Sequence, residues 1–207
     1  YSIVTNIDRE HMDYYNSIND LKNLFIKFIN KVPSFGKSFI CIDDKNNNDL
    51  LKKIRIKNFY TYGINSKSQF YIKNVKQVKE FSEYDLAINL PGKKKTIIRK
   101  IKIPLLGIHN IRNSAAAAAV ALTIGISKDI IKSGLKEFKG VQRRFNKIFT
   151  YRETNFYDDY AHHPTEIKEV LNGVRAAYKK EEVICIFQPH RISRLKDLKK
   201  EFSFSFK

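Results

Sequence analysis

The spacing of apolar residues in the first third of the chain switches between strand-like and helix-like. Residues 3–7, 38–42 and 58–62 are short apolar runs typical of buried strands. Between the first two runs, apolar residues recur at helical spacing over residues 17–32, and Pro33 closes that helix. This strand–helix–strand order predicts a parallel α/β sheet.

The middle of the chain has a different pattern. Residues 69–75, 84–90 and 96–103 alternate more regularly and are joined by polar turns, which predicts three strands in an antiparallel patch. The alanine-rich run 113–122 predicts a closely packed helix, and Ser127 can cap a second helix after it.

The pattern of strands and helices returns after residues 140–146, which read as a domain junction. Residues 155–159 predict a strand, 164–178 a helix and 183–187 another strand, and a further helix begins near Arg194. The predicted fold class is therefore α/β, with a mostly parallel sheet, a small antiparallel patch and a second α/β unit.

Composition narrows the class of protein. The formal net charge of the 207 residues is +18, but the lysines are scattered through the chain, so we interpret the charge as solvated surface rather than a nucleic-acid footprint. Cys41 and Cys185 lie in apolar runs and predict buried strand cysteines, without disulfide or zinc spacing, as in a cytoplasmic protein. No apolar stretch approaches membrane-spanning length, so no membrane contact is expected.

Both ends of the sequence predict an internal fragment. Residue 1 is Tyr, and a strand begins directly after it, while the last residues read as a helix without a stop signal. One apparent phosphate-binding motif is rejected: Gly36 is followed by Lys37 and Ser38, but Lys31 stands where a P-loop needs its first Gly. The 207 residues contain no P-loop.

Several polar clusters follow predicted strands or open predicted helices. His11 lies among Asp8, Glu10 and Asp13, where it could bind a hard cation or simply be a hydrogen-bonded surface residue. In an open parallel sheet, ligands bind at the carboxyl ends of the strands, which is where this loop is predicted to lie.

Two further clusters admit both a structural and a functional interpretation. His109, Asn110 and Asn113 open the alanine-rich helix, where they could cap it or recognise the edge of a heterocycle such as adenine. Arg143 and Arg144 at the junction could bind phosphate or be surface cations.

The densest polar cluster, residues 158–166, lies between a predicted strand and a predicted helix. It combines two carboxylates, two imidazoles and Glu166, which capping alone does not explain, and it lacks the ligands of a zinc site. Residues 188–194 follow the next predicted strand, and Arg191 and Arg194 could bind a small carboxylate or a phosphate. Two such loops at neighbouring strand ends favour a ligand site.

In this order and at these spacings, the motifs resemble those of the Mur ligase family, along residues 4–7, 11–13, 107–113, 143–145, 158–166 and 188–191. The family has an N-terminal UDP-substrate domain, a central ATPase domain and a Rossmann-like C-terminal domain. The resemblance implies that residues 1–146 are the central ATP-binding domain without its P-loop. Residues 147–207 would be the first part of the C-terminal amino-acid-binding domain.

Within the family, the motifs are most similar to those of the members that join L-alanine to UDP-N-acetylmuramate through an acyl phosphate. The implied small molecules are therefore ATP, Mg2+ and those two substrates, and the resemblance implies no nucleic-acid or membrane partner. It assigns His11 to Mg2+. It assigns nucleotide contacts to His109, Asn110, Asn113, Arg144 and Asp159, with Asp159 on the ribose. It assigns the alanine side to His162, Arg191 and Arg194.

Two alternatives stay open. A murein-peptide recycling ligase of the same family shares the loop type of residues 158–166, although residues 188–191 favour the alanine-adding enzyme. The chain by itself could also be inert, since it lacks the P-loop. Two departures from the family pattern are Leu106, where a Pro is frequent, and Ile192, where an aromatic residue is usual, which affects the shape of the alanine pocket.

Overall fold

A computed structural model describes residues 1–10, 12 and 14–207, so the prediction for His11 lies outside the described residues. The described chain forms two compact units. The first contains residues 1–75, 83–102 and 112–136, and the second contains residues 76–82, 103–111 and 137–207.

The described residues form eight strands and seven helices. The strands are β1 (Ser2–Val4), β2 (Ser38–Cys41), β3 (Phe59–Gly63), β4 (Phe70–Val78), β5 (Phe81–Ile88), β6 (Thr96–Ile103), β7 (Asn146–Tyr151) and β8 (Thr154–Asp158). The helices are α1 (Ile18–Asn30), α2 (Lys45–Leu51), α3 (Ile108–Thr123), α4 (Lys128–Glu137), α5 (Pro164–Ala177), α6 (Ile192–Asp197) and α7 (Lys199–Ser205). None of these helices is long and apolar enough to cross a membrane.

The six strands β1 to β6 form one sheet in sequence order, and its first four strands run parallel. All four residues of β2 are buried, as expected for a strand between two parallel neighbours with both faces covered. Helix α1 begins where the Ser17 hydroxyl accepts the Asp20 N–H at 3.2 Å. Its buried Leu21 and Ile29 belong to one apolar cluster with residues of β1 and β2. The predicted parallel α/β sheet is confirmed.

The three strands predicted between residues 69 and 103 are present as β4, β5 and β6, and they continue the same sheet. Two residues join β4 to β5 and seven join β5 to β6, so each neighbouring pair is antiparallel, because a parallel pair needs a much longer crossover. Every second residue of β5 is buried, as expected for a strand that packs one face against a core.

The alanine-rich helix α3 begins at Ile108, within the segment that was predicted to open it. Ala115, Ala116, Ala118 and Ala119 are buried, which confirms that small side chains serve close packing here. Ser114 on the same helix lies 2.8 Å from the Tyr84 hydroxyl of β5, so a buried hydrogen bond joins helix and sheet.

In the second unit, β7 and β8 form an antiparallel hairpin whose turn places Arg152 and Glu153 at positive φ. Helix α5 starts at Pro164, as the sequence predicted, and His163 is its N-cap. Its buried Ile167 packs with Leu198 and Phe202 in one apolar cluster, to which the partly buried Leu195 also belongs.

One predicted strand is wrong. Residues 183–187 have no regular secondary structure, Ile184 is 78% exposed and Ile186 is 93% exposed. Cys185 is exposed as well, whereas Cys41 is buried as predicted. An apolar run becomes a strand only with a neighbour for its N–H and C=O groups, and among the described strands β8 pairs with β7 alone. Residues 188–194 therefore do not follow a strand end.

Candidate functional site

The carboxyl ends of β1 and β2 are joined by helix α2, which the sequence did not predict. The Asn47 carboxamide donates to the Thr5 carbonyl at 3.1 Å and to the Cys41 carbonyl at 2.9 Å. Asn46 donates to the Ile7 carbonyl at 2.7 Å. These hydrogen bonds attach residues 5–7, directly after β1, to α2. The predicted metal ligand His11 follows these residues in the sequence. Asparagine-rich segments usually read as loops, which is why α2 was missed.

Among the described acidic groups near this loop, Asp44 has a perturbed pKa. Burial raises the pKa of the Asp44 carboxyl, backbone N–H groups of Asn47 and Ile7 oppose that rise, and the charge of Asp8 adds to it. Within the described part of the chain, no group of three His, Cys, Asp or Glu side chains could hold a metal ion. The assignment of His11 to Mg2+ stays a prediction.

A buried carboxylate that sequence reasoning missed lies at the carboxyl end of β2. Asp43 accepts the backbone N–H groups of Ile64 and Asn65, both at 2.9 Å, after the end of β3. It also accepts from Arg112 Nε of α3 at 2.7 Å. A Cβ at Gly63 would lie 2.5 Å from an Asp43 carboxylate oxygen, so this approach requires glycine. The available signal was an acidic residue directly after a buried strand.

The loop that opens α3 has a fixed backbone. Gly107 has a φ of +92°, and its N–H donates to the Gln77 side-chain oxygen at 2.8 Å. The Asn110 carboxamide donates to the Leu106 carbonyl at 2.7 Å, and His109 Nδ1 lies 4.0 Å from a Glu169 carboxylate oxygen. The predicted heterocycle-recognising Asn110 therefore has a defined orientation, which capping and ligand recognition both require. Asn113, farther along α3, is exposed.

Asp159 ties the domain junction to the loop after β8. Its carboxylate accepts the Phe145 N–H at 2.8 Å and the Ala161 N–H at 2.7 Å, and the Tyr160 N–H donates to the Arg143 carbonyl at 2.8 Å. Arg143 and Phe145 both have positive φ. Burial raises the pKa of Asp159, while the two backbone N–H groups oppose that rise. Asp159 thus has a structural task beside any contact with a ligand.

Glu166 is the common partner of two predicted site residues. One of its oxygens accepts the backbone N–H of His162 at 3.0 Å and that of His163 at 3.3 Å. The other lies 3.7 Å from a terminal guanidinium nitrogen of Arg144. Burial raises the Glu166 pKa, but these N–H groups and the charges of His162 and Arg144 lower it more, so the pKa lies below its ordinary value. Arg144, Asp159 and His162 are therefore brought together around one loop.

The geometry of His162 fixes which ring nitrogen carries the proton. Nδ1 lies 2.7 Å from the Tyr160 carbonyl oxygen, and a carbonyl only accepts. Nδ1 is therefore protonated, which leaves Nε2 of the neutral ring as a hydrogen-bond acceptor. An imidazole of this tautomer can accept a proton from an amine or hydroxyl.

Arg191 and Arg194 lie in the same compact unit as His162. Arg191 is exposed, has a φ of +70° and precedes α6, while Arg194 lies within α6 and is half-buried. Leu195 of α6 packs on the cluster that contains Ile167 of α5, so α6 is fixed beside the helix that begins after His162. The loop of residues 188–194 leads into α6, although residues 183–187 before it do not form the predicted strand.

Comparisons with known proteins identify the family of this chain. Residues 1–121 match the Mur ligase middle domain, and residues 143–205 match the model described as Mur ligase, glutamate ligase domain. A UDP-N-acetylmuramate–L-alanine ligase from Pelagibacter ubique is 84% identical over all of this chain, which covers 45% of that relative. One from Brachyspira hyodysenteriae is 42% identical over 99% of this chain and 43% of its own length.

A solved structure has a similar fold. The crystal structure of the UDP-N-acetylmuramate–alanine ligase from Thermotoga maritima matches with a TM-score of 0.71 and 28% identity, over 95% of this chain and 43% of that one. The chain thus spans slightly less than half the length of these relatives. Because the two family models together account for most of its residues, the chain belongs to the Mur ligase family.

Proposed function

We propose that this chain is part of an ATP-dependent ligase that joins L-alanine to UDP-N-acetylmuramate. The observation that carries the proposal is the Glu166 carboxylate, which holds Arg144 and His162 around one loop. An arginine suited to phosphate and an imidazole suited to an amine are what such a ligase needs side by side. The ligase names of the two relatives support the same substrate pair.

The reaction consists of two transfers. A carboxylate oxygen of the muramate attacks the γ-phosphorus of ATP, and ADP leaves. The alanine nitrogen then attacks the acyl carbon, and phosphate leaves as the amide bond forms. Both steps depend on positioning and on neutralising the phosphoryl charge, which are tasks for fixed cations and hydrogen-bond donors.

On the nucleotide side, His109, Asn110 and Asn113 would recognise adenine. Arg144 would contact phosphate. Asp159 fits a ribose role, because its two backbone N–H bonds use one acceptor position on each oxygen, and an ionised carboxylate has others for hydroxyl groups. Mg2+ would be held mainly by the phosphates of ATP, with His11 beside it, since Mg2+ typically binds substrate phosphates and few protein groups.

On the alanine side, His162 Nε2 would accept the proton that the alanine ammonium must lose before attack. The hydrogen bond of Nδ1 to the Tyr160 carbonyl fixes that tautomer. Of Arg191 and Arg194, one would bind the alanine carboxylate and the other would help to neutralise the acyl phosphate. A cytoplasmic location belongs to the proposal, since ATP is a cytoplasmic substrate.

The alanine assignment is tested in the full-length enzyme that contains this segment. Arg191→Ala or Arg194→Ala removes a charge-assisted hydrogen bond of about 1.5–3 kcal/mol, so kcat/KM for alanine should fall roughly ten- to a hundredfold. The KM for ATP should change much less. Lys196→Ala, an exposed cation on the same helix, is the matched control and should leave both constants unchanged. If both arginine variants keep normal alanine kinetics, the assignment of this loop is wrong.

The 207-residue chain alone should not turn over ATP. It contains no P-loop, so it lacks the backbone N–H groups and the lysine that hold the β- and γ-phosphates. Phosphate release by the purified chain, measured with and without Mg2+, checks this. Robust Mg2+-dependent release would show that another part of the chain binds the phosphates.

A further inference from the structure

Helix α5 contacts two chain segments that come from outside residues 137–207. Near its middle, Glu169 lies 4.0 Å from His109 Nδ1. After its last turn, the Tyr178 hydroxyl donates to the Lys79 carbonyl at 3.1 Å, and Glu181 forms an ion pair with the Lys79 ammonium group. Segments 76–82 and 103–111 thus lie along one side of α5, within the same compact unit.

At Gly173, helix α5 lies against the backbone of the loop that precedes α3. A Cβ added to Gly173 would lie 2.8 Å from Gly107 Cα and 2.9 Å from Gly107 N. These contacts are far too short for carbon against backbone, so only glycine permits this packing. The packing tolerates little added volume at Gly173, because the neighbouring atoms of Gly107 belong to the backbone and cannot rotate away as a flexible side chain can.

Residues 105–107 cannot easily move away from α5, because two further hydrogen bonds hold them in place. The Gly107 N–H donates to the Gln77 side chain at 2.8 Å, and the Leu105 carbonyl accepts from the Ser82 hydroxyl at 2.7 Å. A larger residue at position 173 would therefore have to displace either α5 or a loop with two hydrogen-bonded anchors. Either movement alters the backbone immediately before Asn110.

We propose that Gly173 and Glu169 are positioning residues, through which α5 sets the geometry of the loop carrying His109 and Asn110. Helix α5 also begins at the Glu166 cluster, and Glu166 lies about 10 Å from Gly173 along the helix axis at about 1.5 Å per residue. One rigid helix then connects the amino-acid side with the adenine side of the site. The effect of α5 on the geometry of the loop does not depend on the proposed function, whereas its consequence for ATP binding rests on that function.

The first test uses the 207-residue chain and needs no catalysis. Gly173→Ala is compared with Gly134→Ala, a helix glycine of α4 whose added Cβ would have no atom within 4 Å. By hydrogen-exchange mass spectrometry, Gly173→Ala should raise exchange in residues 105–111 on the order of tenfold, and Gly134→Ala should not. Equal exchange in that segment in both variants would overturn the proposal.

A second variant covers the possibility that Gly173→Ala does not fold. Glu169→Gln keeps the shape of the side chain and removes the charge beside His109, so it should raise exchange in residues 105–111 by a smaller factor. Unchanged exchange in Glu169→Gln, together with a Gly173→Ala chain that is folded by circular dichroism and protected as before, refutes both assignments.

The second test uses the full-length enzyme. Gly173→Ala should raise the KM for ATP several-fold and leave the KM for alanine within about twofold, a split that a general loss of stability does not produce. Gly134→Ala should change neither constant. Altered exchange with an unchanged KM for ATP would overturn the link to the nucleotide. A full-length enzyme that never joins alanine to UDP-N-acetylmuramate would refute the proposed function and leave the exchange result standing.

Discussion

Replacing Asp43 with asparagine should destabilise the carboxyl edge of the parallel strands. Both oxygens of the Asp43 carboxylate accept hydrogen bonds, from the Ile64 and Asn65 N–H groups and from Arg112 Nε. Asparagine has the same shape, but it keeps one acceptor oxygen and introduces an NH2 group that faces a donor. At least one of these N–H groups, or the guanidinium group, then loses its partner.

The expected loss of stability in Asp43→Asn follows from the burial of the Asp43–Arg112 ion pair. The Asp43 side chain is 9% exposed and the Arg112 side chain 30% exposed, so the pair is only partly screened by water. Losing a hydrogen bond to a charged group costs about 1.5–3 kcal/mol, and breaking a fully buried pair costs about 3–5 kcal/mol. Because Arg112 is partly hydrated, we expect about 2–4 kcal/mol for Asp43→Asn.

Asp49→Asn is the matched control. Asp49 pairs with Lys22 at 2.8 Å, almost the same distance, but its side chain is 50% exposed. Water competes for that pair, so its loss should destabilise the fold much less than the loss of the Asp43 pair. Comparing the two variants therefore separates the effect of burial on stability from the effect of hydrogen-bond length.

Native-state hydrogen exchange is the appropriate assay, because a chain with two compact units need not unfold in one step. The Ile64 and Asn65 amides should exchange faster in Asp43→Asn and stay protected in Asp49→Asn. Arg112→Leu should cost much less in the Asp43→Asn background than in the natural chain, since the pair is already broken there. Equal protection in Asp43→Asn and Asp49→Asn would refute the reasoning.

Two other predictions concern titrating groups. The pKa of Glu166 is lowered overall, so its charge stabilises the fold at neutral pH and that contribution is lost as the pH falls below the ordinary value of 4.5. Glu166→Gln should therefore narrow the difference between the urea midpoints at neutral and acidic pH, and an unchanged difference would contradict this. Among the thiols, Cys185 should alkylate in the folded chain. Burial raises the pKa of Cys41 to about 11, so it should react at least about tenfold more slowly until denaturant is added. Equal labelling of both cysteines, measured by mass spectrometry, would contradict this prediction.

The elements that were predicted correctly have strong local signals. Helix α1 combines an apolar period with a Ser17 cap, and α5 combines Pro164 at its first position with an acceptor at His163. Such signals depend on neighbours along the chain, so one sequence suffices to read them. Helix α2 lacked an apolar period, and it forms because Asp44 caps it and its asparagines bind the carbonyls of two strand ends.

The candidate site was predictable only in part. The loop of residues 158–166 concentrates so many polar groups that its unusual chemistry is visible without a structure, and Arg144, Asp159 and His162 do meet there. Asp43 was missed, because its partner Arg112 lies 69 positions away and only the fold brings the two together. The ligand roles of all these residues stay predictions.

Residues 183–187 show where local pattern and tertiary context separate. The run Val183 to Phe187 has the apolar, β-branched composition of a buried strand, yet Ile184 and Ile186 are exposed, while the Phe187 ring packs against Phe202 and Phe206. Composition states a preference for a pleated, half-buried surface, but a strand forms only when a neighbour supplies hydrogen bonds and a facing layer supplies apolar contacts. Residues 183–187 therefore have the composition of a strand without the neighbours that form one, and Ile184 and Ile186 stay exposed.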